Sequence, residues 1–337
     1  MKIDVVIATY NRPKSLKGVV AKLLDSNADL NKIIVIDSSR DENKPIQVME
    51  KVLYVRSSHA NQPYQRYLGY RASDADILIF LDDDMELIDN GWMDKIKKAF
   101  SEASVVGVAM AFANDNEFLN SKIPKSKFGN PKRPGYFRRI LKAFSGHPYL
   151  KPGKFWLCGI RGMQPPEGGE TQWVHGGAFV AKRSALYKNF NFRLFDLFEE
   201  KMGMGEDVLL GYTLSKQGKI VYIPERSFYH NDQKDSTYTM DLESYGRRVA
   251  YSRLYLSFEY GRLSNVPKNF VLLHYIWYML WRFTGMGMNY LIDPSTSRKE
   301  LIKGYASGIN KALKDRKILS SYLEDTRWRR ETEIDLK

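Results

Sequence analysis

A run of five apolar residues that ends in three consecutive aspartates constrains the fold of this chain more than any other feature. The run covers residues 77–81, and Asp82, Asp83 and Asp84 follow it directly. A short apolar run rich in β-branched and aromatic residues, bounded by an abrupt change of polarity, is typical of a buried strand in a parallel sheet. In open α/β sheets, ligands bind beyond the carboxyl ends of the strands. The sequence therefore predicts a binding site at the end of this strand.

The three aspartates allow two interpretations. Adjacent carboxylates repel one another unless a cation or a set of hydrogen-bond donors neutralises them. One interpretation is therefore a divalent metal that grips a diphosphate, and carboxylate oxygens are the hard ligands that such metals prefer. The other interpretation is a solvated acidic turn of the kind that many protein surfaces carry. The aspartates alone do not decide between the two.

Strand-like and helix-like segments alternate over the first 84 residues. Buried strands are predicted at residues 3–8, 32–36 and 52–55, and a helix at 61–73 precedes the aspartates. Such alternation indicates right-handed βαβ units, so the predicted fold class is α/β, with a mostly parallel central sheet flanked by helices. A later strand is predicted over residues 173–181, where two glycines would let a ligand approach the backbone.

The composition is that of an ordinary folded protein. Of the 337 residues, 43% are hydrophobic and 27% are charged, which excludes an intrinsically disordered chain. Cys158 is the single cysteine, so an internal disulfide framework is excluded, and burial as a small hydrophobe is expected for it. A strand-like segment instead of a signal peptide follows Met1, so we expect a cytoplasmic location.

The net charge of +13 is concentrated in one segment. Residues 118–166 contain eleven Lys and Arg and no Asp or Glu, and their many prolines predict a loop insertion. Local positive charge attracts phosphate groups, whether they belong to nucleic acid, to anionic lipid or to a diphosphate-linked substrate.

The sequence pattern predicts helices in the last third of the chain. Residues 270–281 are apolar on nearly every face, but they fall short of the roughly 20 residues that span a bilayer. We expect a buried helix there, with a helix lying in a membrane interface as the alternative. The predicted organisation is a catalytic domain over residues 1–232, a helical region over 233–325 with membrane association as its alternative role, and a poorly ordered tail over 326–337.

Several motifs occur together in a characteristic order. The chain resembles the family 2 glycosyltransferases of the GT-A fold, the inverting type that uses nucleotide-diphosphate sugars. The resemblance covers about two-thirds of the chain and rests on VVIATYNR, IIVIDSS, NQPYQRYLGYRAS, FLDDD, WVHGGAFVAKRSAL and GMGEDVLLGYTLSKQGKIVYIPERSFYH.

The resemblance implies a nucleotide-binding set at the ends of the first strands. In this set Asp37 would accept a hydrogen bond from the uracil N3–H. Ile36 stands where the family usually has a first acidic residue, so the base assignment depends on Asp37 alone. The implied donor-binding residues are Thr9, Tyr10, Asn11, Arg12, Asp37, Arg66, Asp82 and Asp83. For Arg66, a solvated helix residue is the alternative.

The resemblance also implies a divalent metal, Mn²⁺ or Mg²⁺. Asp84 would ligate it, Asp82 would face the ribose or the metal, and His230 would be a third ligand. An imidazole ligand is better tolerated by Mn²⁺ than by Mg²⁺. A hydrogen-bonded histidine at a strand end is the alternative for His230.

Asp207 is the implied catalytic base. Inversion needs a carboxylate that accepts the proton of the attacking hydroxyl, and a helix N-terminus favours the ionised form. Alternatively, Glu206 or Asp207 only caps the helix. The implied donor-sugar or acceptor pocket consists of Trp173, Gly176, Gly177 and Glu206.

The sequence thus predicts a glycosyltransferase that moves a sugar, most readily from UDP, to a hydroxyl of a glycan. A lipid-linked precursor of a surface polysaccharide or glycoconjugate is the expected acceptor, and an anionic membrane at the inner face is a possible partner surface. Two alternatives are a glycosyltransferase that modifies hydroxylated bases in DNA and a nucleotide-sugar-binding protein without catalysis. Nucleic acid is the less favoured partner.

Overall fold

Nine strands form one sheet in the part of the chain that the computed structural model describes, namely residues 1–26, 28–114, 140, 143–148, 150–187, 189–231, 241–321 and 326–336. A two-stranded sheet lies apart from it, formed by β7 (Phe155–Trp156) and β8 (Ile160–Arg161). The nine strands are β1 (Ile3–Thr9), β2 (Lys32–Asp37), β3 (Val52–Arg56), β4 (Ile77–Asp82), β5 (Met85–Leu87), β6 (Val105–Phe112), β9 (Gly169–Thr171), β10 (Ala178–Lys182) and β11 (Lys219–His230).

The strand order is β3-β2-β1-β4-β10-β6-β11-β5, and β9 pairs with β11. The first four strands in this order run parallel, β10 runs antiparallel between β4 and β6, and β11 is parallel to β6. Most strands therefore point the same way, and the predicted α/β class with a mostly parallel central sheet is confirmed.

Helices follow the strands and then fill the last third of the chain. The first group is α1 (Pro13–Asp25), α2 (Lys44–Gln47), α3 (Gln62–Ala72), α4 (Trp92–Phe100), α5 (Arg183–Leu186), α6 (Phe192–Glu199) and α7 (Glu206–Leu214). The second group is α8 (Leu242–Leu263), α9 (Lys268–Ile292), α10 (Thr296–Lys314), α11 (Arg316–Leu319) and α12 (Thr326–Asp335). Within the described residues, no helix has both the length and the hydropathy needed to traverse a bilayer.

Both faces of the sheet are covered by apolar cores. One core packs α1 and α4 against the sheet, and the other packs α3 and the 185–195 region against its opposite face. A third core joins residues 155–160 and α7 to helices α8–α11. Because this third core contains residues from both sides of position 232, the helical region shares packing with the predicted catalytic domain. Cys158 is fully buried, as expected.

Two helical glycines differ in how closely other residues pack against them. A Cβ on Gly69 of α3 would lie 2.2 Å from Val6 Cγ1 of β1, whereas a Cβ on Gly18 of α1 would have no atom within 4 Å. We expect Gly69→Ala to lower the free energy of unfolding by ~1–3 kcal/mol through overpacking. Gly18→Ala should raise it by ~0.5–1 kcal/mol through helix propensity. Denaturant titration of both variants checks this, and a shift of the same sign for both would contradict the packing explanation.

Three expectations about local structure are wrong. The predicted strand over residues 173–181 begins only at Ala178, and a turn at residues 176–177 precedes it. The tail is docked: Trp328 of α12 is buried against Tyr64 and Phe195, and Asp335 accepts a hydrogen bond from Tyr64. Large side chains of residues 270–281 are exposed along one side of α9, so that helix is only half buried. Much of the predicted basic insertion, including residues 118–139, lies outside the described residues.

Candidate active site

The carboxyl ends of β1, β2 and β4 meet at one edge of the sheet. Ala8 pairs with Asp82 and Thr9 pairs with Asp37, which aligns the three strand ends. Gln65 of α3 donates from Nε2 to the carbonyl oxygens of Thr9 and Ile36, at 2.9 and 2.8 Å. One helix side chain therefore fixes the ends of β1 and β2 against each other, which holds the predicted binding edge in place.

The turn after β1 reaches the aspartates. Thr9 Oγ1 donates to Asp83 Oδ2 at 2.6 Å, and Arg12 Nη1 donates to Asp83 Oδ1 at 3.0 Å and to Asp84 Oδ2 at 2.6 Å. Asn11 has a φ of 54° and accepts from the Arg40 backbone N–H, which ties this turn to the one after β2. The structure thus brings Thr9, Asn11, Arg12 and the aspartates together as predicted.

The aspartates differ in pKa because their neighbours differ. Burial raises the pKa of Asp82 and raises the pKa of Asp83 to about 7. Burial also acts on Asp84, but His230 and Arg12 outweigh it and hold the pKa of that carboxyl below its ordinary value. Asp84 is therefore the member of the trio whose ionised form its neighbours favour most.

His230 at the end of β11 faces Asp84. The distance from His230 Nε2 to Asp84 Oδ1 is 3.2 Å, and this buried carboxylate oxygen accepts no hydrogen bond in the described part of the chain. An ionised oxygen beside an imidazole nitrogen is a donor pair that suits a divalent cation. Among the described residues, no group of three or more His, Cys, Asp and Glu side chains is arranged as a ligand cluster. A cation here would have to take its other ligands from the substrate or from water.

A cavity of about 370 Å³ lies between α1 and the aspartates. Asp83 and Asp84 form part of its wall, and Lys14 and Lys22 of α1 form another part. Sequence reasoning did not select these lysines, although α1 begins directly after the predicted nucleotide turn. Positive side chains opposite carboxylates make this cavity suitable for a phosphate-bearing ligand that also meets a cation.

Arg66 of α3 is buried at the centre of the site. Its Nη2 donates to Asp82 Oδ1 at 2.9 Å and to the carbonyl oxygen of Gly176 at 2.7 Å. Its Nη1 donates to Glu206 Oε1 at 3.0 Å. The guanidinium therefore joins the end of β4 to the 176–177 turn and to the start of α7. A contact between Arg66 and the nucleotide stays a prediction, while its three protein partners indicate that it positions the site.

Glu206 and Asp207 occupy the first turn of α7, and the N-cap residue is Gly205, which has a φ of 81°. The N-cap residue itself has no side chain to cap the helix, and the capping alternative for the two carboxylates stays open beside the catalytic one. A Cβ on Gly176 would lie 3.3 Å from Asp207 Oδ2. The Asp207 carboxylate thus borders the glycine turn, and none of the described hydrogen bonds engages it.

The segment before α7 is held by α8. The Gly203 carbonyl oxygen accepts from Arg248 Nε and Nη2 at 3.2 and 2.8 Å, and the Met202 carbonyl oxygen accepts from Ser252 Oγ at 2.7 Å. A Cβ on Gly205 would lie 3.0 Å from Leu256 Cδ1. These contacts fix the position at which α7 begins, and hence the position of Asp207.

Other predicted residues lie nearby in different roles. Asp37 is buried and accepts from the Ser39 N–H at 2.7 Å and from the Tyr54 hydroxyl at 2.5 Å, while Tyr10 is exposed. Trp173 is buried beneath the Arg161 guanidinium, which is 4.5 Å from the ring centroid. The Gly177 carbonyl oxygen accepts a hydrogen bond from the Asp82 N–H at 2.9 Å.

Sequence reasoning missed Gln62 and Gln65. Gln62 Nε2 donates to Asp82 Oδ1 at 2.8 Å, next to the Arg66 bond. Gln62, Gln65 and Arg66 share one face of α3, since residues three and four apart are neighbours on a helix. That spacing in the NQPYQR motif was the available signal.

The pKa of Glu206 gives a pH-dependent prediction. Burial and the adjacent charge of Asp207 raise this pKa to about 7, and Arg66 offsets them only in part. A carboxyl whose folded pKa exceeds its unfolded value destabilises the fold as pH rises between the two values. Glu206→Gln should therefore gain ~1–3 kcal/mol in unfolding free energy relative to the wild type between pH 5 and pH 8. Denaturant titration at both pH values checks this, and a gap that stays constant or narrows would contradict it.

Comparison with known proteins gives the class of this site. Residues 4–159 match the family model described as Glycosyl transferase family 2. The chain is also 21% identical over 242 residues to the O-antigen biosynthesis protein RfbC of Myxococcus xanthus. That similarity covers 68% of this chain and 17% of RfbC, so the chain spans about a sixth of the relative's length. These matches support family 2 and the predicted glycosyltransferase class.

Two solved structures are similar in overall shape. The first is S. aureus TarS 1-349, with a TM-score of 0.49 and 11% identity over 99% of this chain and 89% of that chain. The second is the mannosyltransferase PcManGT from Pyrobaculum calidifontis, solved in complex with GDP-Man and Mn²⁺. Its TM-score is 0.48 and its identity 13%, over 99% of this chain and 84% of that chain.

Proposed function

We propose that this glycosyltransferase moves a sugar from a nucleotide diphosphate to a hydroxyl group of a glycan, with inversion at the anomeric carbon. One observation carries the proposal: the buried Arg66 guanidinium binds Asp82 at the predicted diphosphate edge and Glu206 next to Asp207. Asp207, the carboxylate proposed to accept a proton, is thereby held near the aspartates proposed to bind the metal and the diphosphate. UDP is the proposed carrier, on the strength of Asp37, and a lipid-linked glycan is the proposed acceptor. The relative named for O-antigen biosynthesis is in keeping with a polysaccharide product.

The proposed mechanism is a direct displacement. The acceptor oxygen attacks the anomeric carbon while Asp207 accepts its proton, and the nucleoside diphosphate leaves from the opposite face. Asp84 and His230 would hold Mn²⁺ or Mg²⁺, which would supply positive charge to stabilise the leaving diphosphate. Arg12 and Thr9 hold Asp83 and Asp84 in orientation, and Arg66 fixes the start of α7. Holding the donor and the acceptor in one reactive orientation would further increase the rate of transfer.

A thermal-shift screen tests the proposed donor site. The protein is heated with UDP, GDP, dTDP or ADP, each with and without Mn²⁺. We expect stabilisation by one nucleotide only when the metal is present, since a ligand that binds only the folded state raises the melting temperature. Stabilisation by none of the four nucleotides would contradict the proposed function.

Asp84→Asn should remove the dependence on metal. A shift of several degrees, equivalent to ~2–3 kcal/mol at saturating ligand, should disappear because Asp84 is the aspartate that faces His230. The control is Asp74→Asn, since Asp74 is an exposed carboxylate paired with Lys2 and Lys32 elsewhere on the protein. An unchanged metal effect in Asp84→Asn would remove Asp84 from the proposed ligands.

A further inference from the structure

Helix α9 exposes a long apolar face. Ten large hydrophobic side chains on this helix are exposed, including Phe270, Leu273, Trp277, Leu280, Trp281 and Leu291. Val271, Tyr275, Tyr278 and Met279 point the other way into the third core. At 1.5 Å per residue, the exposed face extends ~33 Å from residue 270 to residue 292. Scattered surface hydrophobes need no explanation, but a contiguous strip of this length marks an interaction surface.

A described residue of the basic segment, Phe144, contacts this face. The exposed Phe144 ring packs edge-on against Trp277 and Trp281, with 5.5 Å between ring centroids in both pairs. The Trp277 Nε1–H also donates to the Phe144 carbonyl oxygen. Phe144 belongs to residues 118–166, in which eleven Lys and Arg occur without an Asp or Glu.

The helices themselves add to the positive charge. Between residues 268 and 292 there is no Asp or Glu, and residues 268–319 contain nine Lys and Arg against three Asp and Glu. In a symmetric dimer the same patch meets itself, which would place these like charges opposite one another. An anionic lipid surface instead complements the charge, and Trp beside Lys and Arg is favoured at such interfaces.

We infer that this face of α9 docks on an anionic membrane surface, with the helix axis parallel to the bilayer and the Trp277 and Trp281 rings among the head groups. The inference depends on the exposed face and its charge, and it goes beyond the proposed reaction. If the acceptor is lipid-linked, docking at this face would bring the enzyme to the surface that carries it.

Vesicle binding by variants that introduce negative charge tests the inference. Leu273→Glu/Leu291→Glu changes two leucines that are 67% and 79% exposed, and Val48→Glu/Ile334→Glu changes two hydrophobes outside α9 that are 85% and 65% exposed. The two pairs make the same change in charge at sites of similar exposure, so neither should unfold the protein. We expect wild type and the control pair to co-sediment with phosphatidylglycerol-containing vesicles at low salt. The α9 pair should lose at least ~10-fold in partition coefficient, and salt should weaken binding.

Tryptophan quenching gives a second measurement. Among the six tryptophans, Trp277 and Trp281 are exposed, while Trp92, Trp173 and Trp328 are buried. Vesicles with brominated acyl chains should therefore quench part of the fluorescence of wild type and control, and should not quench the α9 pair. The nucleotide thermal shift, measured on the same variants, reports separately on the donor site.

Two results would overturn the inference. The first is equal vesicle binding by the two variant pairs, or no binding of the wild type to anionic vesicles. The second is concentration-dependent self-association, seen by sedimentation, that the α9 pair loses and the control keeps while vesicles have no effect. That second result would identify another copy of the chain as the occupant.

Discussion

Asp207→Asn should lower the rate of sugar transfer by ~10²–10⁴-fold, the range that a positioned general base contributes. The amide has nearly the shape of the carboxylate but cannot accept the acceptor proton in the same way. The Asp207 carboxylate borders the Gly176 turn and is engaged by none of the described hydrogen bonds, so the substitution should leave the donor site in place. Transfer assays with saturating donor, together with the nucleotide thermal shift, separate the loss of chemistry from a loss of binding.

Asp94→Asn is the matched control for the base assignment. Asp94 lies in the first turn of α4, as Asp207 lies in the first turn of α7. Each substitution removes a negative charge from a helix N-terminus and should cost a similar ~0.3–1 kcal/mol in stability. Only Asp207→Asn should lose transfer. Turnover near the wild-type rate in Asp207→Asn would exclude this residue as the base.

Arg66→Met should lower the free energy of unfolding by ~3–5 kcal/mol at neutral pH, because removing one partner leaves buried charge uncompensated. Asp82 and Glu206 would lose their shared cation, and the Gly176 carbonyl oxygen would lose its donor. The start of α7 would no longer be tied to the end of β4, so transfer should fall even in the fraction that stays folded. Denaturant titration and activity per folded molecule measure the two effects.

Arg71→Met provides the control on the same helix. Arg71 pairs with Glu333 at 2.7 Å, but that carboxylate is exposed, and surface ion pairs contribute only ~0–1 kcal/mol. The stability loss of Arg66→Met should also shrink at pH values low enough to protonate Asp82 and Glu206. A loss no larger than that of Arg71→Met would show that Arg66 does not hold the site together.

The strand-end aspartates could be predicted because the information is local. A buried strand that stops at a carboxylate places it at the edge of the sheet, and the order of strands and helices then brings Thr9, Asp37 and Asp82 to the same edge. Asp83 and Asp84 directly follow Asp82, so they lie at the same edge of the sheet. The role of each carboxylate is less local, since the ionisation of Asp84 depends on His230, which is far away in sequence.

The environment of Arg66 could not be predicted from its helix. Its partners Gly176 and Glu206 are 110 and 140 residues away, and no periodicity within α3 indicates them. Helix α9 poses a different difficulty, since a segment that is apolar on nearly all faces does not show which face is covered. The neighbours α8 and α10 decide that. The mixed-charge composition of the tail predicts a poorly ordered segment, and it gives no sign that Trp328 and Asp335 pack against residues near the start of α3.

The attachment of residues 202–205 to α8 bears on how such chains can diversify. Arg248 and Ser252 hold the carbonyl oxygens of Gly203 and Met202, and Leu256 closes the space above Gly205. Exchanging the C-terminal helices alone would remove these contacts, which hold the segment before Asp207 in place. A recombinant that carries residues 202–207 together with α8 would keep these contacts, so the unit to exchange extends across position 232.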